Sequence, residues 1–162
     1  MDDLQWSVRD GVGTILLNRP ESRNAFTFAM IHEWERLLRA ARSDDDVRVI
    51  VVTGAGDRAF CSGVDLSAIS NANPDLTPLE RKQQLHAEIH RVALALEDLD
   101  KPVIASINGV AVGAGLDMAL MCDMRIMSTS ARVCEGYVKL GLTPGDGGAY
   151  YLPRIVGTAK AL

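Results

Sequence analysis

The sequence predicts an α/β fold in which strands alternate with helices along a single 162-residue domain, 1–162. Three observations predict it. Residues 47–53 and 103–107 are β-branched, apolar runs of the kind that form covered, largely parallel strands. Residues 27–41 and 79–99 carry apolar side chains at helical spacing, as helices lying over a sheet do. Glycine-rich stretches follow the strands, where a chain turns sharply toward a helix.

The elements follow in order. Trp6, Val8, Val12, Thr14 and Leu16 alternate around Asp10-Gly11, which reads as a hairpin. Asn18-Arg19-Pro20 ends its second strand. In 27–41, Phe28, Ile31, Trp34, Leu37, Leu38 and Ala41 share a face, with Thr27 as N-cap. After the strand at 47–53 comes a glycine-rich loop, and 71–78 is a loop with two prolines. A helix over 79–99 places Leu85, Ile89, Val92, Leu96 and Leu99 together, and Lys101-Pro102 breaks it. A buried strand at 103–107, a short helix at 114–122 and a strand at 125–128 complete a loose strand, strand, helix repetition.

Composition narrows the function classes. A net charge of −4 with scattered arginines gives no basic stripe for nucleic acid. The acidic start, Met1-Asp2-Asp3, is unlike a signal peptide and no apolar run reaches spanning length, so the expectation is a cytoplasmic protein that avoids membranes. Cys61, Cys122 and Cys134 are odd in number and widely spaced, which fits neither a disulfide framework nor a metal knuckle, and they read as reduced packing residues. His86 and His90 stand four apart on a helix but lack the glutamate of a His-Glu-x-x-His motif, so no metal site is expected. Cys61-Ser62-Gly63 lacks the flanking glycine pattern of a nucleophile elbow.

Ala59-Phe60-Cys61-Ser62-Gly63-Val64-Asp65-Leu66 and Asn108-Gly109-Val110-Ala111-Val112-Gly113-Ala114-Gly115-Leu116-Asp117 are the chemically informative stretches. Small residues at a strand-to-helix turn leave backbone N–H groups uncovered, and two such turns make converging donors for an oxyanion. Add Asn18-Arg19-Pro20-Glu21-Ser22-Arg23-Asn24-Ala25-Phe26 and Lys139-Leu140-Gly141-Leu142-Thr143-Pro144-Gly145-Asp146-Gly147-Gly148, and four blocks in order resemble the crotonase superfamily, the enoyl-CoA hydratase/isomerase family. The resemblance covers nearly the whole chain.

It implies a crotonase-like spiral core of ββα units and acyl-CoA substrates, with coenzyme A entering as part of the substrate and no further cofactor. The oxyanion donors implied are the N–H groups of Val64 and Ala114, which would hold a thioester enolate; Ala114 stands where the family usually has glycine. Substrate contacts are implied at Arg23, Ala25, Ser62, Gly63, Asp65, Leu66 and Gly113, with Arg19 and Arg23 near the phosphates or simply solvated. Family hydratases place water with two glutamates, and both positions differ here. One is Asp117, still a carboxylate and the expected base, or else a stabiliser of its helix start. The other is Tyr137, a hydrogen-bond donor but a poor base.

Two carboxylates compensate on this reading. Glu135 shares a face with Tyr137 if the segment is extended, its alternative being a surface ion pair. Asp146 lies near positions where family isomerases and C–C bond hydrolases carry an acid, its alternative being the cap of a helix over 149–155. Hydration or isomerisation of an enoyl-CoA leads; hydrolysis of a β-keto acyl-CoA and a non-catalytic acyl-CoA-binding subunit are the other readings. The acyl pocket is expected to draw on the loop 67–78. The sequence stops at Leu162, short of the family's usual C-terminal helical segment, as a fragment or as a natural short form, and a homo-oligomer, trimer or hexamer, is expected to cover the apolar surface that segment would protect.

Overall fold

The computed structural model describes residues 2–65 and 76–162. Strands β1 (Leu4–Arg9) and β2 (Val12–Leu17) form the hairpin, turned by Asp10 and Gly11 in the left-handed conformations of a type I′ turn. Helix α1 (Phe28–Arg42) starts where Thr27 Oγ1 accepts from the Met30 N–H. It buries Met30, Ile31, Trp34, Leu37, Leu38 and Ala41. Its last turn is closed by Lys101, whose ammonium donates to the carbonyls of Ala41 and Asp44.

β3 (Val49–Gly54), β5 (Val103–Ile107) and β7 (Met124–Met127) then add in parallel to β2, giving the order β1-β2-β3-β5-β7. β3 and β5 alternate fully buried with half-buried residues, so only one face of each lies in the core. This corrects the expectation of strands covered on both sides. A second parallel sheet, absent from the sequence reading, runs β4-β6-β8 from Ala59–Cys61, Val110–Val112 and Val133–Cys134. From β3 onward, successive turns of chain give one strand to each sheet before the next helix. The repetition is therefore a stack of strand, strand, helix turns.

The segment expected as one helix over 79–99 is broken. Helix α2 (Pro78–Gln84) opens with a capping box between Thr77 and Glu80, a π-helical turn occupies Leu85–Ile89, and helix α3 (Arg91–Glu97) follows. The His90 N–H closes that turn on the Leu85 carbonyl. Helix α4 (Ala114–Leu120) is buried at every residue, while α5 (Gly148–Val156) and α6 (Thr158–Ala161) lie outside it. Cys61 and Cys122 are buried thiols, each pushed up to about 12 by desolvation, but Cys134 is exposed and is not a packing residue. No helix among the described residues is long and apolar enough to cross a membrane.

Candidate active site

The short sheet positions the site. Three loops leave its adjacent parallel strands at their C-terminal ends: Ser62–Asp65 after β4, Gly113-Ala114 after β6, and Glu135–Tyr137 after β8. Such ends are where ligands settle on parallel sheets.

Asn24 fixes the first loop. Completely buried, it accepts from the Arg19 N–H at 3.0 Å and donates to the carbonyls of Ala55 and Ala59 at 3.0 and 2.8 Å. Phe26 then pairs with Val64: the Phe26 N–H donates to Gly63 O, and the Asp65 N–H to Phe26 O. That ladder uses the residues on either side of Val64 and turns its own N–H the other way. The two glycine loops touch, since a side-chain carbon on Gly63 would lie 3.2 Å from Val112 O and 3.6 Å from Ala114 N. With φ at +98°, Gly63 also occupies backbone space that other residues avoid. Ala114 is the first residue of α4, whose opening N–H has no partner in the helix. Among the described residues, neither Val64 N nor Ala114 N donates to a protein acceptor.

Both donors border a cavity of about 390 Å³, lined also by Ala25, Ser62, Gly113 and Tyr137. Beside it lies a chamber of about 370 Å³ with apolar walls from Phe28, Leu85, Ile89 and Leu142. Val64, Tyr137 and Leu142 line both, so the two spaces share a wall. The π-helical turn is what presents Leu85 and Ile89 there.

Acidic groups converge beyond this wall. Asp117, fully buried, accepts the Tyr137 hydroxyl at 2.6 Å on Oδ2; Asp146, 6% exposed, lies 3.2 Å from the same hydroxyl. A phenol has one proton. That proton goes to Asp117 Oδ2, the nearer acceptor, and Asp146 Oδ2 faces the same hydroxyl at the longer distance. Burial raises the Asp117 carboxyl, against the pull of the Tyr137 hydroxyl. Burial and then the Asp117 charge push Asp146 up to about 6, and burial with the Asp117 charge pushes Glu135 up to about 8. Tyr137 is raised by burial and the neighbouring carboxylates, and stays a donor. Gly148 packs where Asp117 Oδ1 and Glu135 Oε1 meet, leaving no room for a side chain.

The expected residues therefore fall into groups. Val64, Ala114, Gly63, Gly113, Ala25, Ser62 and Asp65 line the first cavity, and Tyr137 and Asp146 line the chamber. Asp117 lines neither, because the Tyr137 hydroxyl stands against it. Glu135 reaches Asp117 on its Oδ1 side, away from Tyr137, from the start of a 3-10 turn over Gly136–Leu140; the segment is not extended, and the carboxyl is buried instead of forming a surface ion pair. Asp146 is not the helix cap. Gly147 holds that position, and the Asp146 carboxylate turns inward to Tyr137. Arg19 is taken up by Asp65 at 2.8 Å and Ala25 O at 2.8 Å, whereas Arg23 is exposed. Leu66 and most of the loop 67–78 lie outside the described residues. Sequence reasoning missed Phe28, Leu85 and Ile89 as chamber walls, and it weighed His90 only as a metal ligand. The stripe of Leu85 and Ile89 on the face toward α1 was the available signal.

A family model described as enoyl-CoA hydratase/isomerase matches residues 7–162. The chain is 39% identical over 155 residues to the 1,2-epoxyphenylacetyl-CoA isomerase of Escherichia coli, covering 96% of this chain and 58% of that protein. It is 37% identical over 150 residues to the short-chain-enoyl-CoA hydratase of Clostridium acetobutylicum, covering 93% and 56%. Among solved structures, an enoyl-CoA hydratase from Bacillus anthracis superposes with a TM-score of 0.88 at 33% identity, covering 99% of this chain and 60% of that one. The chain thus spans between half and 60% of the length of the curated relatives it matches.

Proposed function

The chain belongs to the enoyl-CoA hydratase/isomerase family, and we propose that it transforms acyl-CoA thioesters through an enolate, with isomerisation of an enoyl-CoA as the reaction. The thioester oxygen accepts from the Val64 and Ala114 N–H groups, fixed in place before any charge develops; in comparable sites one such donor is worth roughly 3 kcal/mol. Asp146 faces the acyl chain. As a carboxylate it takes a proton from a substrate carbon, the C–H electron pair moving through the conjugated system onto the thioester oxygen. The resulting carboxylic acid returns the proton to another carbon of the same system, and the double bond has moved. Tyr137 and Asp117 stand behind it, the phenol hydroxyl donating to the Asp117 carboxylate.

One observation carries this reading: of the acidic cluster, Asp146 and its partner Tyr137 line the chamber, whose other polar walls are Arg81, Gln84 and Thr143, while Asp117, the carboxylate at a hydratase glutamate position, sits behind the Tyr137 hydroxyl. A water needs the place between two carboxylates that this hydroxyl fills. Hydration is the second reading, favoured by the buried carboxyls of Asp117 and Glu135, whose Oδ1 and Oε1 face one another at Gly148.

The test is to incubate the 162-residue chain with enoyl-CoA positional isomers and β-keto acyl-CoAs. Mass spectrometry and NMR then separate the outcomes. A moved double bond at constant mass supports isomerisation, a gain of water supports hydration, and cleavage of a β-keto thioester supports the hydrolase. Binding without any product leaves a non-catalytic subunit. No cofactor beyond the substrate's own coenzyme A enters the proposal, and the expected setting is cytoplasmic. Association into a trimer or hexamer is part of it, because Ile126, Val138 and Leu140 are 66%, 80% and 59% exposed. A stable monomer in analytical ultracentrifugation at micromolar concentration would rule that out.

A further inference from the structure

Asp146 forms a partition. On one side is the apolar chamber; on the other is an outer cleft of about 480 Å³ bordered by His90, Glu97, Met121 and Tyr151. Oδ2 points to Tyr137, while Oδ1 is buried without a hydrogen-bond partner. His90 Nε2 lies 3.9 Å from that oxygen. His90 Nε2 also donates to the carbonyl of Gly145, the residue before Asp146, at 3.0 Å. The His90 backbone N–H closes the π-helical turn, and its ring meets His86 edge to face. One residue thus joins the turn that shapes the chamber to the turn that carries Asp146.

Resting on the isomerase reading above, we propose that His90 is a positioning residue: from the outer cleft it fixes the Gly145–Asp146 turn and supplies the positive charge that keeps Asp146 a carboxylate. A buried carboxyl needs such a partner to act as a base, because desolvation favours its neutral form. Asp117 and Tyr137 stand on the inner side, the first raising its proton affinity and the second lowering it by hydrogen bonding, and Arg81 lines the chamber with it; on the outer side, among the described residues, His90 favours the charged form, and Glu97, Tyr150 and Tyr151 line the same cleft. The imidazole is 30% exposed and borders the outer cleft, not the chamber.

His90→Gln tests this directly, since a glutamine amide can still donate to Gly145 O but carries no charge. In His90→Gln the acid limb of kcat/KM moves to higher pH by about half a pH unit or more, and the Asp146 carboxyl resonance, assigned with Asp146→Asn, titrates at correspondingly higher pH. His90→Ala loses the turn contact as well, and its kcat falls roughly tenfold further. His90→Asn serves as the second neutral variant, and circular dichroism checks each fold. An unmoved acid limb and an unmoved Asp146 titration in both neutral variants overturn the proposal. If the wild-type chain turns over no acyl-CoA, the isomerase reading fails, and the carboxyl titration alone still decides whether His90 charges Asp146.

Discussion

Replacing Asp146 with asparagine should make the protein more stable and less active, with the stability gain absent at pH 4 and complete by neutral pH. The carboxyl is 6% exposed and pushed from 3.8 to about 6, chiefly by burial and then by the Asp117 charge. Below the unfolded value both states hold the proton and there is no difference to lose. As pH rises from the unfolded value to the folded one, the unfolded chain releases its proton while the native state still holds it, and stability falls until both are ionised. At about 1.4 kcal/mol per pH unit, the shift amounts to roughly 3 kcal/mol above pH 7. Asparagine keeps the shape and the contact with Tyr137 without the charge. Calorimetric unfolding should therefore match wild type at pH 4 and exceed it at pH 8 by about 2–3 kcal/mol, or roughly 5–10 °C for a domain of this size. Turnover should fall by about 10²–10⁴-fold, the usual range for a lost general base. Equal stability at pH 8, or unchanged turnover, would refute the assignment of Asp146 as a strained, working carboxylate.

Three other substitutions probe the remaining parts. Ala114→Pro deletes one oxyanion donor at a first helical position that tolerates proline; kcat should fall about 10²-fold with CoA affinity retained by calorimetric titration. Tyr137→Phe leaves Asp117 Oδ2 without its donor, costing about 1–3 kcal/mol in urea unfolding and suppressing isomerisation in the mass-neutral NMR assay. Asn24→Ala strips the buried anchor of the first loop, removing its bonds to Arg19, Ala55 and Ala59; a loss of about 2–4 kcal/mol should appear in urea unfolding.

How much was legible follows from the range of each interaction. The hairpin, α1 and β5 announce themselves because Asp10-Gly11, the Thr27 cap and the run Val103–Ile107 are local signals. β4, β6 and β8 are two or three residues long, too short for any period, and they pair only because neighbouring turns of chain stack them. The spacing of Leu85, Ile89, Val92 and Leu96 suits a straight helix and a π-bulged one alike, so the break at Leu85–Ile89 was hidden. The glycine loops pointed to Val64 and Ala114 through their small residues, and in the structure both residues border the first cavity. The roles of Asp146 and Glu135 were not decidable from sequence. Asp146 in a Gly-Asp-Gly-Gly turn has the chemistry of a helix cap, and only the approach of Tyr137 from another turn pulls it inward. Asp117 was read as the group facing substrate, whereas the Tyr137 side chain separates it from the chamber.

The claim that this site holds a thioester enolate is tested most directly by ultraviolet titration of a β-keto acyl-CoA into the wild-type chain, at a pH where the free ligand is in its keto form. Enolate absorption should appear on binding and persist in Asp146→Asn, because the donors are backbone groups. In Ala114→Pro the affinity for the enolate should drop about 10²-fold. Saturable binding with no enolate band in the wild type, or a band of equal strength in Ala114→Pro, would contradict the account.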